Sequence, residues 1–166
     1  MKIRDLLSKG SIVLQATPTT KAEAIKQLVD LMDAAGNLNN KAQYLQDVLA
    51  REASGTTGLG DGIATPHAKS KGVKTAGLAA ITVPQGVDFD AMDGLPSRLF
   101  FLIAAPDGSN DTHLELLSQL ATMIMDNDFK EALIAAKTPE EFLDLIAAKE
   151  NGQFNRKTAV EARPVD

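Results

Sequence analysis

Residues 99–104 are apolar without interruption. A strand built from them has no polar face to turn to water, which suits a strand buried on both sides. Residues 76–83 are a second stretch that reads as a strand, and 11–15 a shorter one. Elsewhere the apolar residues recur at helical spacing. Ile25, Leu28, Val29 and Met32 do so behind Thr20 and Glu23, which form a capping box, and Gly36 supplies the stop. Asn40 is placed to cap a second helix with Leu45, Val48 and Leu49 on its apolar face, fading near Ser54 and Gly55. After a turn at Pro106, Asp107 and Gly108, one helix starts at Asn110 or Asp111 and sets Leu114, Leu117, Leu120, Ala121 and Ile124 along one side. A short helix follows over 128–136. The last has Thr138 as cap, Pro139 at the first position and Glu141 three residues after the cap, with Phe142, Leu145 and Ile146 as its apolar residues. Helices interleaved with apolar strands define an α/β domain.

The pattern stops near Asn151, so residues 1–150 read as the domain and 151–166 as a linker or tail. Aromatic residues make up only 4% of the chain, and the core must be mostly aliphatic. A net charge of -5 argues against binding a nucleic-acid backbone, which needs a basic footprint. Cysteine is absent, which removes disulfides, thiolate chemistry and cysteine-based zinc sites. The first residues contain no apolar core of a signal peptide, and no apolar run is long enough to span a bilayer.

Residues 55–62 are half glycine and read as a loop, and 63–67 as extended, because the residue before Pro66 avoids the α region. Gly55 and Gly60 have the spacing that opens a P-loop, but Asp61 and Gly62 stand where Lys and Ser or Thr are needed. Gly58, Gly60 and Gly62 miss the dinucleotide fingerprint by one position. With two histidines and no cysteine, a metal site would need carboxylates to complete its shell, and none is expected.

Three polar residues frame the loop. His67 follows Pro66 at the end of a strand-like run, where restricted backbone would hold its ring in one direction. A neutral imidazole is a nucleophile that can take a phosphoryl group. Taken alone, an ordinary surface-loop histidine explains it better. His113 falls in the first turn of a helix, where free backbone N–H groups favour an anion and a neutral ring can donate a hydrogen bond to one. Alone, it is only a polar residue beside a cap. Arg51 ends the second helix, where any cation is favourable. It also offers a guanidinium suited to a phosphate. Lys69, Lys71 and Lys74 read as solvated.

Taken together, residues 51–67 resemble the signature of the fructose/mannitol class of enzyme IIA domains of the sugar phosphotransferase system. In that family an arginine ends a helix, a glycine-rich segment and a Gly-Ile-Ala-x-Pro-His run follow, and a second histidine comes at a later helix start. Here these are Arg51, Gly62 to His67, and Asp111 to Leu114. Thr65 departs from the aliphatic residue often found at its position.

The resemblance covers roughly residues 1–150 and implies a mixed β-sheet flanked by helices on both faces. It implies that His67 accepts a phosphoryl group from the phosphohistidine of HPr on Nε2, that His113 hydrogen-bonds the group, and that Arg51 stabilises its charge. The group would then pass to a cysteine of an enzyme IIB domain and on to a sugar, fructose by resemblance, which this domain never touches. No cofactor or nucleic acid is implied. A cytoplasmic carrier is expected, tethered to the membrane where it is fused to enzyme IIC, and the linker-like residues after 150 favour such a fusion. A nitrogen-type regulatory protein with the same histidine site, acting by partner binding, is the alternative. A plain α/β binding domain is the third.

Overall fold

A computed structural model describes residues 2–109 and 111–154. The chain runs α1 (Ile3–Leu6), β1 (Leu7–Val13), α2 (Lys21–Ala34), α3 (Lys41–Ala53), β2 (Gly58–Gly60), β3 (Ile63–Ala64), β4 (His67–Ser70), β5 (Gly77–Val87), β6 (Ser97–Pro106), α4 (Thr112–Ile124), α5 (Asn127–Ala135) and α6 (Pro139–Glu150). Three of the predicted caps close as expected. Thr20, Asn40 and Thr138 each accept a backbone N–H from three residues on, from Glu23, Gln43 and Glu141.

The strands form one sheet ordered β1-β5-β6-β3-β2, with β4 also pairing with β6. It is mixed: β1 with β5, and β3 and β4 with β6, are parallel, whereas β5 with β6 and β2 with β3 are antiparallel. The uninterrupted apolar run sits in β6, the strand with the most partners. Its side chains alternate in period two. Leu99, Phe101 and Ile103 pack with Leu116, Leu120, Phe129, Leu133, Phe142 and Ile146 of α4, α5 and α6. Phe100, Leu102 and Ala104 pack on the opposite face with Ile25, Leu28, Met32, Tyr44 and Val48 of α2 and α3. Helices therefore cover both faces. Each fully buried Leu or Phe contributes about 1.5–3 kcal/mol, so a polar residue at Phe100 or Phe101 would break one layer outright.

Some expectations shift. The predicted strand at 11–15 begins earlier, at Leu7, because the short helix α1 delivers the chain directly into it. Residues 55–62 are not all loop. Gly58–Gly60 form β2, turned back on β3 through Asp61 and Gly62, whose φ values of 54° and 80° are both positive. That is the two-residue hairpin for which Asp-Gly is the strongest short signal. On α3, Leu49 is 43% exposed and Tyr44 takes the core position instead. On α4, Leu114 is 53% exposed and Leu116 is buried in its place. Its apolar residues form two adjacent stripes, with Leu116, Leu120, Met123 and Ile124 buried in the core and Leu117 packed partly buried against them. The alternative cap Asn110 lies outside the described residues, as does 155–166 of the expected linker. Asp111 precedes α4 without a side-chain capping bond.

Two ties fix α3 against the sheet. The buried Tyr44 hydroxyl donates to the Ile103 carbonyl at 2.7 Å, and Ile103 is the residue of β6 paired with His67. At the start of α3, the N–H groups of Asn39 and Asn40 donate to the Gly72 carbonyl just beyond β4. A third tie closes the domain: the Glu150 carboxylate at the end of α6 accepts from Ile3 N at 2.7 Å and Arg4 N at 3.1 Å. Among the described residues no helix is long and apolar enough to cross a membrane.

Candidate functional site

His67 is the first residue of β4, so its backbone is fixed by pairing with Ile103 while its ring stands at the strand's open end. Thr65 and Pro66 interrupt the extended run and separate β3 from β4. Pro66 has no N–H to donate to the ladder, and its carbonyl instead accepts from Ile103 at 3.1 Å. The break turns the Thr65 carbonyl toward the imidazole, with Nδ1 of His67 2.9 Å from that oxygen. A carbonyl only accepts, so Nδ1 carries the proton and donates it, and Nε2 is left with its lone pair. Burial lowers the pKa of His67 below the ordinary histidine value. The Thr65 carbonyl pulls it back up, the nearby Arg51 and His113 push it further down, and Glu52 opposes them weakly.

His113 lies in the first turn of α4. Its ring stacks beside that of His67 at a centroid distance of 6.1 Å and an interplanar angle of 27°. Its Nδ1 is buried and has no hydrogen-bond partner among the described residues. Arg51 lies in the last turn of α3, and its Nη1 donates to the Gly55 carbonyl at 2.8 Å. Arg51, His67 and His113 line one cavity of about 480 Å³ together with Asp47, Ala68, Lys69, Leu114 and Leu117. The three residues picked from the sequence, spread over 63 positions, are thus brought to one place. Leu114, displaced from the core, lines this cavity with Leu117, which explains its exposure.

Sequence reasoning missed two carboxylates here. Glu52 is buried at the end of α3, where its carboxylate accepts from Thr57 N at 3.2 Å and from the Thr57 hydroxyl, and pairs with Lys21 Nζ at 2.9 Å. Thr57 in turn accepts from Thr65 N at 3.0 Å. A chain of contacts therefore runs from Lys21 through Glu52 and Thr57 to the residue whose carbonyl orients His67. Asp47 lies one helical turn before Arg51, a spacing that puts both on one face of α3. The i, i+4 relation was the available signal for it. Among the described residues no group of three His, Asp or Glu side chains is placed to hold a metal ion.

Around this open cavity stand a lone pair on Nε2, a guanidinium, a second imidazole and the first turn of α4, groups whose chemistry suits an anion.

The family model described as "Phosphoenolpyruvate-dependent sugar phosphotransferase system, EIIA 2" matches residues 5–149. The chain is 40% identical over 146 residues to the fructose-specific EIIABC component of Bacillus subtilis, covering 88% of this chain and 23% of that protein. It is 38% identical over 136 residues to the fructose-specific EIIA component of Haloferax volcanii, covering 82% of this chain and 88% of that one. Among solved structures it resembles the nitrogen regulatory protein IIA of Neisseria meningitidis, with a TM-score of 0.80 and 33% identity, covering 87% of this chain and 98% of that one. It also resembles the Escherichia coli complex of mannitol enzyme IIA with phosphorylated enzyme IIB, with a TM-score of 0.76 and 28% identity, covering 86% of this chain and 99% of the matched one.

Proposed function

The chain belongs to the EIIA 2 family of the phosphoenolpyruvate-dependent sugar phosphotransferase system, and from that premise we propose that it is a phosphoryl carrier with His67 as the acceptor, fed by phospho-HPr and discharging to an enzyme IIB domain in fructose uptake. The observation that carries this reading is the bond from Nδ1 of His67 to the Thr65 carbonyl, which leaves Nε2 as the nucleophile in a cavity shared with Arg51 and His113.

Nε2 attacks the phosphorus of the donor phosphohistidine. The new N–P bond forms as the donor's N–P bond breaks, and the donor imidazole leaves with its electron pair. His67 gains positive character as it is phosphorylated, and its Nδ1–H bond to Thr65 then strengthens, because hydrogen bonds from a charged donor are the stronger ones. Arg51 and His113 meet the phosphoryl oxygens. Phosphoryl transfer asks the protein chiefly for position and charge stabilisation, which this set supplies without nucleotide or metal. In the second half the IIB cysteine thiolate attacks phosphorus, and His67 leaves as the neutral ring it was at the start.

The fructose assignment is supported by the Bacillus and Haloferax relatives, the IIB partner by the Escherichia coli complex. The chain spans 23% of the length of the Bacillus protein, so association with membrane-bound partners belongs to this proposal. The likeness to the Neisseria protein favours a second reading, a regulator acting through partner binding.

The test is incubation with enzyme I, HPr and phosphoenolpyruvate. Acid-labile phosphate should appear on the wild-type chain and be absent from His67→Ala. An unlabelled wild type removes both readings. Transfer from the labelled chain to a fructose-type IIB separates transporter from regulator.

A further inference from the structure

A site built to receive a phosphoryl group also has a carboxylate in its wall. Asp47 lines the cavity that holds Arg51, His67 and His113, and lines a neighbouring cavity with Gln43, Lys69, Ser70, Lys71 and Asp107. Its position is fixed rather than incidental. Oδ2 accepts from the Ser70 hydroxyl at 2.5 Å, and Oδ1 accepts from Gln43 Nε2 at 3.0 Å. Ser70 is buried at the far end of β4, and its oxygen also accepts from Gly72 N at 3.0 Å. Both carboxylate oxygens are thus held by neutral donors. Among the described residues no cation lies within ion-pair distance of Asp47, although Arg51 is one turn away on the same helix and Lys69 lines the same cavities.

A phosphoryl group brings about 1.5 to 2 negative charges near neutral pH. A fixed negative charge in the same cavity raises the free energy of the phosphorylated state and leaves the empty one untouched. For a store of phosphate that would be a defect. For a carrier it opposes the hold of Arg51 and His113, so that the group is accepted and yet released.

Resting on the carrier reading above, we propose that the Asp47 carboxylate tunes the phosphoryl-transfer potential of His67 by opposing the charge of the bound group. Asp47 is a tuning residue and makes no bond to phosphorus.

The experiment is the equilibrium partition of phosphate between HPr and the full chain, charged with enzyme I and phosphoenolpyruvate and read by intact mass. Asp47→Asn keeps an acceptor for Ser70 and removes the charge. It should shift the partition toward the phosphorylated chain by about tenfold and slow donation to IIB. Asp47→Ala should shift it the same way, which guards against a folding effect peculiar to one variant. Ser70→Ala keeps the charge and loses the bond, and its partition should stay within about twofold of wild type, since only an uncharged contact is lost. The proposal is overturned if Asp47→Asn partitions like wild type, or if Ser70→Ala shifts as far as Asp47→Asn. A wild type that takes no phosphate would instead sink the carrier reading itself, so the two failures are distinguishable.

Discussion

The rings of His67 and His113 lie 6.1 Å apart and nearly parallel, with one reached from the start of a strand and the other from the first turn of a helix. Two imidazolium rings at that separation would repel each other beside Arg51. Burial, with the nearby Arg51 and His113 adding to it, therefore favours the neutral ring of His67.

The first prediction concerns pH. The His67 ring should titrate with a midpoint below the ordinary 6.5, with the Nδ1–H tautomer dominant above it, both read by nitrogen-edited NMR. Below 6.5 the unfolded chain takes up a proton that the folded one refuses. The contribution of His67 to stability is therefore complete above that value and is lost as pH falls through the depressed folded one. Phosphoryl acceptance should persist somewhat below 6.5 for the same reason. A midpoint at or above 6.5 would contradict the site as described.

Arg51 and His113 should affect transfer more than folding. Arg51→Lys keeps the charge and loses the planar fork, and phosphorylation by phospho-HPr should slow by about 10²-fold, the cost of one misplaced charge-stabilising donor. His113→Ala should still be labelled but donate to IIB more slowly. Rapid-quench kinetics on each half-reaction would check both, and unchanged donation by His113→Ala would remove its role.

Glu52→Ala should destabilise the domain by about 1–3 kcal/mol, because it leaves the buried Thr57 donors without their acceptor and takes from the half-buried Lys21 one of its two carboxylate partners. Lys21 also sits 4.7 Å over the Phe89 ring and 3.4 Å from the Asp90 carboxylate, and both contacts remain in the variant. The double variant with Lys21→Met should cost less than the sum of the single changes. Urea midpoints would measure this.

Much of this was legible in the sequence because the signals were local. Thr20, Asn40 and Thr138 announced their helices, and the apolar run at 99–104 announced the central strand and its two covered faces. Arg51, His67 and His113 stood out together through the resemblance of residues 51–67 and 111–114 to the enzyme IIA signature, and none of them did so alone. The rest depended on contacts that no local pattern encodes. Leu114 and Leu116 are equally apolar, and only the tertiary structure decides which faces the sheet and which the cavity. Tyr44 earns its core position through a hydroxyl bond to Ile103, 59 residues away. Glu52 and Asp47 were not singled out, because their partners Lys21, Thr57 and Ser70 are remote in sequence or beyond the helix end. The β2–β3 hairpin was hidden by reading its glycines as loop, although Asp61 and Gly62 are the residues such a turn demands.

Gly72→Ala should be more damaging than its loop position suggests. A Cβ there would sit 2.5 Å from the Asn40 carbonyl oxygen and 2.9 Å from Tyr44 N, both backbone atoms that cannot rotate away. The cost should be about 1–3 kcal/mol in urea unfolding. Since Gly72 holds the start of α3, labelling of His67 should also slow. A variant as stable as wild type would show that α3 is free to shift.

The clasp of Glu150 on the backbone of Ile3 and Arg4 has a consequence for how such a unit travels between proteins. The polypeptide enters and leaves at one corner, so a larger protein can carry this body at either end or as a graft into a single surface loop without spreading its own backbone. Portability of that kind is written into one carboxylate at the tip of the last helix.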